Sequence, residues 1–350
     1  MKQFDLNKII RPNIQRLVPY SSARSEYNGA ATIFLDANEN SIPIGSNAYN
    51  RYPDPLQKEL KQRISELKNV PSANIFIGNG SDEPIDLLIR MCCSPGVDNI
   101  LICPPTYGMY EVAAQINDIA VQRVLLTNSY QLNVVEILKQ VTENTKLIFI
   151  CTPNNPTGNV MNETDIITIL DTFQGIVVVD EAYIDFAAAN SLALTHDKYP
   201  NLVILQTLSK AWGLAALRVG LAFASKEIIE VLNKIKAPYN INKASQQLVF
   251  QMLSDTEQTA TAVNTLLQQR KQLAEALKKT STVLNVYPSD ANFLLVKFED
   301  AANVYKYLLS KKIVVRNRSN QPLCENCLRI TVGTFEENEF LITVLKEYQP

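Results

Sequence analysis

The sequence predicts an α/β protein: a large domain with a mostly parallel central sheet covered by helices, followed by a smaller α+β domain. Three observations carry that expectation. Apolar runs such as Ile176-Val-Val-Val179 and Leu202-Val-Ile-Leu205 are continuous rather than alternating, as in strands buried on both faces of a parallel sheet. Helical segments alternate with these runs as far as about residue 236, which is βα order. Beyond about residue 255 the alternation gives way to a long polar helix and short strands. The chain has 350 residues, 46% of them hydrophobic, ample for more than one layer of structure. The expected division is an N-terminal arm at 1–44 joining the small domain, a large domain at 45–245 and a small C-terminal domain at 246–350.

Each element follows from its residues. Prolines 12 and 19 mark residues 1–30 as an arm. Leu56, Leu60, Ile64 and Leu67 form one stripe and predict a helix over 56–68. Residues 74–77 predict a short strand. Ser81 is the expected N-cap of the next helix, with Asp82 and Glu83 in its first turn. Pro84 is tolerated that early. Strands are expected at 99–103, 146–151, 176–180, 202–206 and 219–224, with helices near 107–117, 162–173 and 225–236. The small domain is expected to have helices at 255–279, 301–310 and 337–347 and strands near 282–287, 292–298, 313–315 and 328–332.

Composition narrows the function. Charged residues make up 19% and the formal net charge is −2, without the clustered basic excess of a nucleic-acid binder. Small molecules or copies of the same chain are the expected partners. The N-terminus lacks a signal-like apolar segment and no apolar run is long enough to span a bilayer, so a cytoplasmic location is expected. Four of the six cysteines lie in apolar runs and are expected as core residues. Cys324-x-x-Cys327 is a lone pair, and His196 is the only histidine. Zinc would need further ligands, so no metal is expected. His196 lies in a polar loop and is expected at the surface. Trp212 is expected to serve packing.

The chemistry-bearing motifs all follow apolar runs, where ligands of open α/β sheets sit. Lys210 ends Thr207-Leu-Ser-Lys210; desolvation there lowers an amine's pKa and makes it nucleophilic toward an aldehyde. Thr207, Ser209 and Arg218 offer hydroxyls and a guanidinium for a phosphate. Asp180 ends Val177-Val-Val-Asp180, where a carboxylate is costly unless paired. A protonated pyridine nitrogen would be such a partner; a helix cap or a metal ligand are the other readings. Tyr183 is three residues on. Asn155 lies in Pro153-Asn-Asn-Pro-Thr-Gly158, a loop shaped by prolines and glycine. Gly78-Asn-Gly-Ser81-Asp82 places glycines before a helix N-terminus, an anion site, without the lysine of a Walker motif. Tyr107, in Pro104-Pro-Thr-Tyr107, offers an aromatic face.

Phosphate loop, stacking aromatic, Asn-Pro loop, Asp-x-x-Tyr, Ser-Lys and Arg occur in the order that resembles the fold-type I pyridoxal-phosphate-dependent aminotransferases, including the eight-residue spacing from Lys210 to Arg218. Longer stretches extend the resemblance over nearly the whole chain: Leu17–Arg24, Leu35–Asn40, Arg51–Pro55, Pro104–Tyr110, Asp180–Phe186 and Cys327–Gly333. They resemble the branch that transaminates histidinol phosphate with 2-oxoglutarate in histidine biosynthesis.

The resemblance implies pyridoxal 5′-phosphate as cofactor, with Lys210 its Schiff-base lysine, Asp180 at the pyridine nitrogen, Asn155 and Tyr183 at the ring oxygen and Tyr107 stacked on the ring. It implies Ser81, Asp82, Thr207, Ser209 and Arg218 around the phosphate. Tyr52 is implied to reach the neighbouring subunit's cofactor phosphate, and hence a homodimer. Arg329 is implied to grip the α-carboxylate of glutamate, while Tyr20, Asn292 and Arg316 match substrate-pocket positions. The chain departs at Ala216, where many relatives have glycine, and in the turn Ser41-Ile-Pro-Ile-Gly45 after Asn40. Both leave loop shape open.

Three other readings compete. An aromatic amino acid aminotransferase and a threonine-phosphate decarboxylase would share the cofactor residues. A transcription regulator on the same fold would need an added N-terminal DNA-binding domain, whereas the cofactor motifs here begin within the first eighty residues.

Overall fold

The computed structural model describes residues 4–21, 26, 32–45, 49–195 and 197–349. Arg24 and His196 lie outside the described residues.

Seven strands form the large sheet: β1 (Ile75–Asn79), β2 (Asn99–Ile102), β3 (Ala120–Arg123), β4 (Thr145–Cys151), β5 (Ile176–Asp180), β6 (Leu202–Thr207) and β7 (Val219–Ala224). Their spatial order is β1-β7-β6-β5-β4-β2-β3. Strands β2 to β6 pair in parallel, and β7 runs antiparallel to both of its neighbours. Every residue of β5, β6 and β7 is buried, because helices cover both faces. One face carries Ile77, Ile148, Val177 and Ile204; the other carries Phe76, Phe149, Val178 and Val203. The mostly parallel α/β sheet expected from the continuous apolar runs is therefore present.

The second sheet has four strands in the order β10 (Arg316–Asn317), β11 (Cys327–Thr331), β9 (Phe293–Phe298), β8 (Val283–Val286), all antiparallel. Helices Thr256–Lys278, Ala301–Ser310 and Phe335–Glu347 accompany it, and Leu273, Leu294, Val304, Leu328 and Leu341 share its core. Thr334 caps the last helix in a reciprocal capping box with Glu337.

Several boundaries differ from the sequence expectation, each for a physical reason. The strand expected at 313–315 instead pairs at Arg316–Asn317; Val314 is 80% exposed and has no sheet face to cover. The helix Lys243–Met252 crosses the expected boundary at 245/246. Its Val249, with Leu253, joins Leu60 and Ile64 in the large-sheet core, so the passage to the second sheet comes near Asp255. The short helices Leu6–Ile9 and Pro12–Arg16 were expected beside the small domain, but they lie on the large one. Ile10 is buried there with Leu88 and Leu232, Arg11 N–H donates to Met91 O at 3.0 Å and Lys234 Nζ to Gln15 O at 3.0 Å. Ser81 does not cap with its side chain, because its own backbone is already helical. Strand β3, of four residues, and the helix Val134–Gln140, of seven, are too short for a period to stand out in the sequence.

Six buried cysteines are free thiols. Burial pushes Cys103 and Cys324 up to about 12. No described helix is long and apolar enough to cross a membrane.

Candidate active site

The carboxyl ends of β4, β5 and β6 and the loops after them converge on one pocket of about 150 Å³. Asp180 closes β5 and lies 2% exposed in its floor. The Tyr110 hydroxyl donates to Asp180 Oδ2 at 2.6 Å, and the Ala182 N–H donates to Oδ1 at 3.1 Å. Burial raises Asp180 to about 6, and these two hydrogen bonds only partly offset it. Among the described residues no cation forms an ion pair with it.

Lys210 stands beyond β6, its side chain open to the cleft. Its Nζ lies 5.7 Å from the Tyr183 ring centroid. Desolvation by the cleft walls, and then the Arg329 charge, hold it below the ordinary lysine range. Thr207 Oγ1 accepts from the Ser209 N–H at 3.2 Å and braces the turn leading to it.

The loop after β4 is fixed from inside. Asn154 Nδ2 donates to Pro105 O at 2.8 Å and to Thr157 Oγ1 at 2.7 Å. That leaves Asn155 turned to the site: its Nδ2 donates to Tyr183 Oη at 3.4 Å, while its Oδ1 accepts from Arg329 Nη1 at 2.6 Å. Tyr183 packs edge-on against Phe293 of β9, and Arg329 lies over the same Phe293 ring.

The glycine loop closes the pocket through the β1–β7 pairing. Gly78 lies opposite Gly220, and Gly80 N–H donates to Arg218 O at 2.7 Å. A side chain at Gly220 would put Cβ 2.2 Å from Ser81 N, and one at Gly80 would put it 2.7 Å from Arg218 Nη2. Arg218 itself has a φ of 53°. Close approach of two backbones therefore brings Ser81, Asp82 and Arg218 together. Asp82 Oδ1 accepts from Tyr107 Oη at 3.1 Å, and its Oδ2 lies 3.7 Å from Arg218 Nη2. The Tyr107 ring meets Tyr110 edge-on.

Nine of the expected residues thus share this pocket: Ser81, Asp82, Tyr107, Asn155, Asp180, Tyr183, Thr207, Ser209, Lys210, together with Arg218 as a tenth. Arg329 is joined to it through Asn155. Arg316 lies opposite Arg329 in the small sheet, and Asn292 O accepts from Val332 N–H at the start of β9. None of these three lines the pocket itself, and neither do Tyr20 and Tyr52. Tyr20 is 73% exposed, and Tyr52 stacks on Tyr239 with centroids 4.4 Å apart, lining a separate cavity with Tyr49 and Lys243. Tyr110 was missed by the sequence reading. The available signal was its place in the stretch Pro104–Tyr110, directly after the apolar run that forms β2; the helix that carries it begins at Met109, after Tyr107.

Residues 33–345 match the family described as aminotransferase class I and II. The chain is 56% identical to the histidinol-phosphate aminotransferase of Cytophaga hutchinsonii over 348 residues, 99% of each chain. Its structure resembles that of the histidinol-phosphate aminotransferase from Clostridium acetobutylicum, with a TM-score of 0.79 and 25% identity, covering 85% of this chain and 90% of that one. It shares the fold of the Sinorhizobium meliloti histidinol-phosphate aminotransferase solved in complex with pyridoxal-5′-phosphate, with a TM-score of 0.80 and 22% identity, covering 85% and 83%.

Proposed function

The chain belongs to the class I and II aminotransferases, and we propose that it transfers the amino group of histidinol phosphate to 2-oxoglutarate by a ping-pong route. The products are imidazole-acetol phosphate and glutamate, a step of histidine biosynthesis. The observation that carries this reading is a buried acid and a low-pKa amine on the large sheet, faced by arginines on the small sheet, in a chain with full-length relatives of that name.

Pyridoxal 5′-phosphate is the proposed cofactor, and the residues present fit it. Asp180 is a buried carboxylate that forms no ion pair among the described residues, the partner a protonated pyridine nitrogen needs. Gly80 and Gly220 leave backbone where no Cβ fits, beside hydroxyls and a guanidinium suited to a phosphate. When bound, the cofactor supplies an aldehyde that takes up the amino group and a cationic ring that draws electrons from the substrate's α-carbon.

Lys210 holds the cofactor through its amine and, once displaced, moves the proton at the substrate's α-carbon. An amine held below the ordinary lysine range suits that task. Asp180 keeps the ring nitrogen protonated, Asn155 and Tyr183 hold the ring oxygen and Tyr107 covers one ring face. Ser81, Thr207, Ser209 and Arg218 bind the phosphate. Asp82, itself an anion, serves through Tyr107 and Arg218, which it holds. Arg329 grips the α-carboxylate of glutamate through its bidentate fork. Arg316, Tyr20 and Asn292 receive the other end of the substrate. Tyr52 completes the partner subunit's phosphate site in a homodimer. Val18, Ile33, Leu35, Ile42 and Ile44, exposed by 74% or more, supply apolar surface for that contact. The cytoplasm is the proposed location.

The test is a single-turnover reaction of the cofactor-loaded enzyme with L-histidinol phosphate. Formation of imidazole-acetol phosphate is expected. Its absence, with carbon dioxide released from threonine phosphate, would overturn the reading.

A further inference from the structure

A third arginine stands beside the two that the motifs account for. Antiparallel pairing of β10 with β11 sets Arg316 directly opposite Arg329, so both side chains rise from one face. Arg318 continues the ladder: its N–H donates to Cys327 O at 2.9 Å. Two residues beyond Arg316, it returns to the same face. It is half-buried, and its charge bears on Tyr183, which lines the pocket.

No described carboxylate compensates the charge of this cluster. Among the described residues, none of the three arginines forms an ion pair with a carboxylate. The Nε atoms of Arg318 and Arg329 are buried with no hydrogen-bond partner. Burial, then Arg329 and Arg316, hold Arg318 at about 10, below the guanidinium range. Neighbouring like charges and unpaired buried donors are both costly, and an anion relieves both costs.

We propose that Arg318 is a specificity-determining residue that joins Arg316 and Arg329 in an anion site favouring a dianionic phosphate over a carboxylate. The inference rests on the reaction proposed above. Its basis is stoichiometric. One guanidinium fork satisfies both oxygens of a carboxylate. A phosphate monoester carries close to two charges and three acceptor oxygens, so it has contacts left for further guanidiniums. The Coulomb gain also grows with the ligand's charge.

The experiment compares the loaded wild-type enzyme with Arg318→Gln and Arg318→Lys. Steady-state KM is measured for L-histidinol phosphate and L-glutamate, and orthophosphate binding to the same holoenzymes by calorimetry. Loss of one charge-assisted contact predicts that Arg318→Gln raises the histidinol-phosphate KM about tenfold or more relative to the glutamate KM. Orthophosphate affinity should fall in parallel, and Arg318→Lys should recover part of both, since it returns the charge without the fork. Equal change for both substrates, or unchanged orthophosphate affinity, would overturn the proposal. If the wild-type enzyme turned over glutamate but not histidinol phosphate, the proposed reaction would fall, and the orthophosphate comparison would still decide the role of Arg318.

Discussion

Tyr110 and Asp180 form a buried pair in which the phenol donates to Asp180 Oδ2 at 2.6 Å. Tyr110 is 0% exposed and stacks on Phe149 of β4, so its hydroxyl has no freedom to turn elsewhere. The pair fixes the carboxylate rotamer from below and leaves the pocket side of Asp180 for a ligand.

Tyr110→Phe keeps the ring packing and removes one hydrogen bond to an ionised group. Such a bond contributes about 1.5–3 kcal/mol. Fluorescence titration of the cofactor-free protein should show pyridoxal phosphate binding weakened by about tenfold or more. An unchanged dissociation constant would reduce Tyr110 to a packing residue.

Asp180 makes stability depend on pH. Its pKa in the fold is about 6, above the unfolded value of about 4, so the folded state holds this proton more tightly. The resulting contribution is fully present below pH ~4 and is lost as pH rises through about 6. At pH 7 the ionised carboxylate costs the cofactor-free protein on the order of 3 kcal/mol. Asp180→Asn should match the wild type in denaturant midpoint near pH 4 and exceed it increasingly toward pH 7. A gap that does not vary with pH would return Asp180 to the ordinary carboxylate range. The same variant should bind the cofactor more weakly.

Lys210→Ala should abolish turnover and the visible absorption band of the bound cofactor. Because Lys210 opens onto the cleft rather than the core, its loss should change unfolding stability by no more than about 0.5 kcal/mol. A retained band would place the attachment elsewhere.

Gly220→Ala pushes a methyl group to 2.2 Å from Ser81 N and 2.3 Å from Gly80 C, both backbone atoms. Overpacking of this kind costs about 1–3 kcal/mol. Chemical denaturation should show that loss, and cofactor titration should show a larger one, because the displaced backbone is the loop proposed to hold the phosphate. Wild-type affinity in a folded variant would separate the loop from the cofactor.

Arg329→Lys keeps the charge and removes the fork, leaving Asn155 Oδ1 without its 2.6 Å partner. The KM for glutamate should rise by about tenfold or more. A change in kcat alone would argue against ground-state binding of the carboxylate.

The large sheet was legible because its central strands are buried on both faces, which forces continuous apolar runs at Ile176–Val179 and Leu202–Leu205. Lys210, Asp180 and Asn155 were legible because each follows such a run. What local pattern cannot carry is long-range pairing. Tyr110 lies 70 residues from Asp180, and only the side-by-side placement of β2 and β4, then β4 and β5, brings them together. The arm's apolar contact with the large domain rests on one buried residue, Ile10, and its partly buried neighbours, too weak a period to read, and its hydrogen bonds are long-range. β10 is two residues long, shorter than any alternation can mark.

The division of the site between two sheets has a further result. Asp180, Asn155 and Lys210 hang from the parallel sheet, whereas Arg316, Arg318 and Arg329 belong to the antiparallel one. The only direct side-chain hydrogen bond described between these two groups runs from Arg329 to Asn155. In the proposed reaction, the residues that act on the cofactor and those that choose the substrate thus rest on separate supports, and substitutions in the short hairpin near the C-terminus are expected to shift substrate preference while leaving the chemistry in place.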